Sequence, residues 1–288
     1  MGIVFGAVAP HGFSIIPLIA EDADGALQTR AAMEELGRRF DAANVDSIVL
    51  AGPHGIRVAG HVAISTARRA AGKLSLDGNS VELNVPIDLD LAHQIAADAN
   101  AAGVPTAEVS WGGNRISQAG FPITWDVITP LWFLGHGYNV PGHGDVLASD
   151  PEGPDGPPVV TVAPSRDLPR QAMIDFGRSV AETAERSGKR VAFIASCDWA
   201  HTHLESGPYG AHPDARPVDA KIVASIRDNG LKAQLDLTDD EVENAAIDGM
   251  WQTLMLAGVQ ERVALRPELL SYEAPSYFGM IVASYTPE

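Results

Sequence analysis

The sequence predicts a layered α/β fold, a sheet of largely parallel or mixed strands flanked by helices, with its ligand site at the C-terminal ends of strands. Three observations lead there. Short, continuous apolar runs recur at Gly2–Ala9, Ser47–Ala51, Pro158–Ala163 and Lys189–Ser196, as strands buried on both faces require. Stretches of helical period alternate with them. Two of the runs also end alike, in Pro10-His11-Gly12 and Pro53-His54-Gly55.

Taken in order, Gly2–Ala9 reads as the first buried strand. Residues 24–43 read as a helix, with Leu27, Ala31, Leu36 and Phe40 near one face. Ser47–Ala51 is a second buried strand, stopped by Gly52-Pro53. Val62–Thr66 suits a short strand, and the polar stretch Ala70–Asn79 a hairpin or exposed loop. Leu89–Ala102 is Ala-rich and periodic, hence helical. Ile128–Leu134 is too short for periodicity to separate strand from buried helix. Gly135–Pro158, rich in Gly, Pro and Asp, reads as a long loop, and loops of this length are usually functional or mobile. Pro158–Ala163 is a strand, Asp167–Ser187 a helix and Lys189–Ser196 a central strand. Cys197–Pro217 is irregular and Val218–Asn229 helical. Thr238–Gly258 predicts one helix, opened by a capping-box pair, Thr238 and Glu241, and closed by Gly258 at C′. Tyr277–Ser284 suits the last strand. Residues 1–288 are expected to form a single domain, because both sides of the long loop contribute to the site described next.

The chain has 288 residues, 45% of them hydrophobic and 20% charged, an ordinary globular composition with room for a large core. A net charge of −17 sets nucleic acid and anionic membrane aside as partners and otherwise favours solubility. No apolar run reaches the ~18 residues of a membrane span. The N-terminus has no basic region before its apolar stretch, so no signal peptide is expected. The one cysteine, Cys197, excludes an intrachain disulfide and fits a cytoplasmic protein.

Imidazole is a common ligand for iron or zinc, and matched contexts at two strand ends make His11 and His54 candidate metal ligands. Neighbouring strands would set the two rings side by side. His61, seven residues after His54, is the local competitor. A third strand end, Ser196-Cys-Asp-Trp-Ala-His-Thr-His203, carries Asp198, His201 and His203. A histidine here suits a third ligand or an acid/base group, and spacing does not choose between His201 and His203. Cys197 reads as a buried structural thiol. Within 238–258, Glu243, Ile247, Met250 and Leu254 share a helical face, which turns Glu243 inward. Glu241 aligns instead with the polar residues Asp248 and Gln252. A buried carboxylate is costly unless it is paired or binds metal, and two histidines with one carboxylate make the facial triad of non-haem Fe(II) oxygenases. Phe13, Trp125 and Trp199 are aromatics suited to an aryl pocket or to core packing.

The ordered series resembles the class III extradiol dioxygenases, the catalytic-subunit family of protocatechuate 4,5-dioxygenase (LigB type). Four features carry the resemblance: the N-terminal Pro-His, a second His after Ile-Val-Leu-Ala-Gly-Pro, the segment Pro130-Leu-Trp-Phe-Leu134, and a strand followed by Ser-x-Asp-x-x-His. By that resemblance His11, His54 and Glu243 take the places of the Fe(II) ligands, with the neighbouring Glu241 as the alternative carboxylate. His201 takes the place of the catalytic acid/base, and Asp198 and His203 lie about the substrate pocket. The expected substrates are a catechol- or aminophenol-type aromatic and O2. A homo-oligomer is expected, with room for a small partner subunit, and Zn(II) also binds such ligands. The chain departs from many relatives at Trp125, where they carry histidine before the Pro-Leu segment. Arg57 and Arg115 are candidates for meeting a substrate carboxylate. A zinc hydrolase on the same ligands and a non-catalytic binding protein of the same fold are the alternatives.

Overall fold

The chain begins with β1 (Gly2–Ala9), α1 (Leu27–Ala42), β2 (Ser47–Ala51), β3 (Val62–Ser65), β4 (Arg69–Leu76) and β5 (Asn79–Pro86). It continues through α2 (Leu89–Ala101), β6 (Thr106–Val109), β7 (Gly120–Pro122), α3 (Trp125–Phe133), β8 (Val159–Ala163), α4 (Arg170–Ser187) and β9 (Arg190–Ser196). The last elements are α5 (Ala215–Arg227), α6 (Asp239–Ala245), α7 (Met250–Gln260), β10 (Leu265–Glu273) and β11 (Met280–Pro287). These come from a computed structural model that describes residues 1–20, 25–115, 118–151 and 155–288, without the side chain of Phe13.

The predicted apolar runs form the middle of an open eight-stranded mixed sheet ordered β10-β11-β1-β9-β2-β8-β3-β6. Its four central strands, β1, β9, β2 and β8, run parallel, so their C-terminal ends open on one edge. Antiparallel pairings at β11 and β3 flank them. Strand β9 shows why such runs must be continuously apolar. Val191, Phe193 and Ala195 pack into one core with α2, α4, α5 and α7, while Ala192 and Ile194 pack into the other, with α1 and α3. A second sheet, β5-β4-β7, closes the α3 side. It contains the Ala70–Asn79 stretch, which is a hairpin turning at Asp77-Gly78.

The single helix expected over 238–258 is two helices. The capping box of Thr238 and Glu241 opens α6 as expected, but Ala246 takes a left-handed conformation (φ 50°) and the chain restarts at Met250. Gly258 is not a C′ residue. It lies inside α7, where a Cβ would collide with the Ile174 carbonyl of α4, so it serves the close crossing of the two helices. Strands β6, β7 and β10 had no clear apolar run to announce them, and the last strand lies three residues later than expected, at Met280–Pro287. Among the described residues no helix is long and apolar enough to cross a membrane.

Candidate metal centre

His11 follows β1 and His54 follows β2, but those strands are not neighbours, because β9 runs between them. The two rings meet across the end of β9, edge to face, with centroids 5.1 Å apart. The carboxylate that joins them is Asp248, in the link between α6 and α7. One ligand atom each of His11, His54 and Asp248 lies within 4.8 Å of the others. Asp248 Oδ2 is 3.4 Å from His11 Nε2 and 3.5 Å from His54 Nε2. Glu243, expected at this place, is exposed on α6 and outside the group. The helix break is the reason: the inward stripe drawn through 243–254 presumed an unbroken helix. Glu241 is held by its capping box and by Lys221, and His61 by the Ala59 carbonyl of its own loop.

Backbone constraints aim these groups. The Asp198 N–H donates to Asp248 Oδ1 (3.0 Å), which leaves Oδ2 toward the imidazoles. Gly249 lets the link pass close to β9, since a Cβ there would collide with Cys197. The N–H of His54 donates to Asp126 Oδ2 (3.0 Å) at the start of α3. Pro130, inside α3, has no N–H, so the Asp126 carbonyl four residues earlier lacks its helical donor. Ser196 Oγ supplies one, at 2.5 Å. With its proton committed there, Ser196 Oγ accepts from His11 Nδ1–H (3.1 Å), so Nε2 is the nitrogen that His11 turns toward the centre.

His201 lies one step outward. Its N–H donates to the Ala245 carbonyl (2.8 Å) and its Nδ1 lies 2.9 Å from the Ala246 carbonyl. These are carbonyls that the end of α6 leaves without helical donors. Nδ1 therefore carries the proton, and Nε2 faces Asp248 Oδ2 at 3.9 Å. Phe278 stacks on the ring at 5.6 Å, and Tyr209 and Tyr277 flank it at 5.7 and 5.9 Å. These three aromatics were missed, because nothing in their local sequence sets them apart.

The remaining expected residues divide. Trp125 lies against His54, with centroids 4.6 Å apart, and is 38% exposed, so it borders the site. Asp198 is buried beside His11, its Oδ2 3.4 Å from Nε2. Trp199 is fully buried in the core and does not line the site. His203 turns away: its Nε2 meets buried Asp219 at 2.8 Å, which also accepts from Tyr272. The side chain of Phe13 lies outside the described residues. A small cleft of about 20 Å³ borders His54, with Asp126, Phe121 and Thr161 among its walls.

The electrostatics suit a cation. Burial works to lower the pKa of His11, but Asp198 and Asp248 outweigh it and push it up to about 9. Burial works to raise Asp248, but the charge and hydrogen bond of His11, with a hydrogen bond from His54, hold it well below the usual carboxylate range. Burial dominates at Asp198 and raises it, with Asp248 adding to the shift. Two carboxylates buried beside imidazoles leave net negative charge when the imidazoles are neutral, and a metal ion relieves it. The donor set, two imidazoles and one carboxylate, fits a divalent transition metal with open positions.

The fold and this cluster define an α/β protein with a two-histidine, one-carboxylate centre at the ends of parallel strands. The chain belongs to the family described as "Catalytic LigB subunit of aromatic ring-opening dioxygenase", which matches residues 6–283. It is 21% identical over 266 residues to Protein CA_C1420 of Clostridium acetobutylicum, covering 92% of this chain. It spans about half of that curated relative, 53% of its length. The fold resembles the crystal structure of uncharacterized protein JW3007 from Escherichia coli K12, with TM-score 0.61 and 14% identity. That likeness covers 98% of this chain and 99% of the other.

Proposed function

We propose that the protein cleaves the ring of a catechol- or aminophenol-type aromatic with O2, beside the two heteroatoms, at Fe(II) held by His11, His54 and Asp248. The convergence of these three side chains, in a chain of this family, carries the reading. Fe(II), when bound, supplies redox chemistry that Zn(II) lacks.

The protein's own groups do the rest. Ser196 holds the Nδ1–H of His11, so that Nε2 is the nitrogen that gives up its proton to a metal, and the Asp198 N–H steadies Asp248. His201, with Nδ1 committed to a backbone carbonyl, offers Nε2 as the base that takes a proton from a substrate hydroxyl and later returns it. Phe278, Tyr209 and Tyr277 give the aromatic ring faces to lie against. Trp125 covers His54 where relatives place a second histidine, which leaves His201 as the acid/base in this chain. The carbon–carbon bond beside the diol breaks and each of its carbons gains one atom of O2. The ring is oxidised, O2 is reduced, and no outside reductant enters.

The test is O2 uptake by anaerobically Fe(II)-loaded protein over a panel of catechols and aminophenols, beside His54→Ala. The expected result is uptake with a yellow ring-fission product, reduced at least about 100-fold in the variant. Absence of uptake from protein shown to hold iron, or ester turnover with Zn(II) instead, would overturn the reading.

A further inference from the structure

The link between β10 and β11 carries Tyr277 and is fastened to the loop that carries His201. Trp199 and His203 donate their N–H groups to the carbonyls of Gly279 (2.9 Å) and Tyr277 (3.2 Å), and the Gly279 N–H donates to the Ala200 carbonyl (3.0 Å). Asp219 of α5, fully buried, anchors the two segments. Its Oδ1 accepts from the Ala200 N–H (2.9 Å), and its Oδ2 meets His203 Nε2 and accepts from the Tyr272 hydroxyl, both at 2.8 Å. Gly279 makes room for it, since a Cβ there would lie 2.2 Å from Asp219 Oδ2. A third segment presses on Tyr277 at Gly207, where a Cβ would come within 2.6 Å of the tyrosine Cβ. The backbone of Tyr277 is thus set relative to His201 by bonds that leave its hydroxyl uncommitted.

The ring of Tyr277 stands 5.9 Å from the His201 ring, and 4.9 Å from that of Phe278 in a T-shaped pair. His201 Nε2 is in turn 3.9 Å from Asp248 Oδ2, so one imidazole separates the phenol from the carboxylate of the centre. Burial raises the pKa of Tyr277, and the charges of Asp198, Tyr209 and Asp248 add to the shift, so the hydroxyl keeps its proton at neutral pH. Among the described residues that hydroxyl has no hydrogen-bond partner, whereas the hydroxyl of Tyr272 on β10 is held by Asp219. A partly buried donor without an acceptor gains from one that arrives with the substrate.

We infer that Tyr277 is a catalytic hydrogen-bond donor, its hydroxyl placed to donate to the substrate oxygen from which His201 takes the proton. This inference rests on the ring-opening reading. The proton passes from the substrate hydroxyl to His201 Nε2, and Tyr277 keeps its own proton while sharing it with the oxygen left negative. No bond of the tyrosine breaks. A donor already fixed where charge develops stabilises that charge without reorganising, and Phe278 beside it has only a ring face to offer.

Tyr277→Phe keeps the ring and removes the hydroxyl. Two measurements on Fe(II)-loaded protein compare it with the wild type. The first, without O2, follows the colour of bound 4-nitrocatechol, which reports the ionisation of that probe, over a pH series. Loss of a donor to the anion raises the ionisation midpoint, and an upward shift of about 1–2 pH units is expected. The second is O2 uptake over the catechols and aminophenols, in which kcat should fall about 10- to 100-fold while KM changes by less than about 3-fold. An unmoved midpoint would overturn the role. With kcat kept, the ring then only packs; with kcat lost, a displaced His201 is the cause; in both cases ring opening by the wild type still stands. A shifted midpoint with kcat unchanged would reduce Tyr277 to a binding contact and overturn its catalytic part. A shifted midpoint in protein that takes up no O2 with any substrate would uphold the donor and remove the reaction. Failure of the wild type to bind the probe would overturn both.

Discussion

At the scale of single residues, the tautomer of one histidine traces back to one proline. Pro130 frees the Asp126 carbonyl, Ser196 donates to it, and Ser196 can then only accept from His11 Nδ1. Ser196→Ala removes the partner of an imidazole proposed to bind the metal and should lower Fe(II) affinity about 10- to 100-fold, read by competition with a chelator. Pro130→Ala restores a helical N–H that competes for the Asp126 carbonyl, so affinity should move the same way by a smaller factor, although the helix gains a bond. Unchanged affinity in Ser196→Ala would mean that His11 is oriented by something else. His11 and His54 were legible in the sequence because each follows a strand with the same Pro-His-Gly ending. Pro130 was visible only as part of a resemblance, since its effect acts through a backbone carbonyl on a distant strand.

At the scale of elements, the α6–α7 break decides which carboxylate enters the centre. Ala246 is left-handed at the break, a conformation costly for any residue with a Cβ. Ala246→Gly should therefore raise stability by about 0.5–1 kcal/mol in denaturant melts, after the entropy of glycine is counted. Gly249→Ala should do the opposite, costing about 1–3 kcal/mol as its Cβ meets Cys197, and it should also weaken metal binding by displacing Asp248. The dipeptide Asp248-Gly249 was a turn signal inside the apparent helix, and the strong apolar period across 247–254 masked it. The long 135–158 loop offers a separate test. His136 is fully buried, with Nε2 on the Pro157 carbonyl (3.0 Å) and Nδ1 without a partner. Burial lowers its pKa to about 4, against 6.5 for a free histidine. The unfolded chain therefore binds the extra proton between those values. The stability from this group is complete above pH 6.5 and is lost as pH falls toward 4, by about 3 kcal/mol. Denaturation midpoints over that range should show a smaller acid loss in His136→Gln than in the wild type, and an equal loss would contradict the assignment.

At the scale of the whole molecule, the central sheet was legible because strands buried on both faces must be predominantly apolar, as β1, β2, β8 and β9 are. The edge strand β6 was not, because three of its four residues are only partly buried and the pattern weakens accordingly. Strand order was also beyond reach: nothing local says that β9, more than 130 residues after β2, inserts between β1 and β2 and places Asp198 and His201 at the two histidines. Because the proposed ligands come from three distant parts of the chain, metal binding should stabilise the fold as a whole. Adding Fe(II) anaerobically to chelator-treated protein at about 100 times Kd should contribute about 2.7 kcal/mol, seen as a higher melting temperature. The most direct test of the centre is its stoichiometry. Fe(II) bound per chain is measured by anaerobic equilibrium dialysis for the wild type, Asp248→Asn and Glu243→Gln. One ion in the wild type and in Glu243→Gln, with strong loss in Asp248→Asn, is the predicted result; full binding in Asp248→Asn with loss in Glu243→Gln would contradict it.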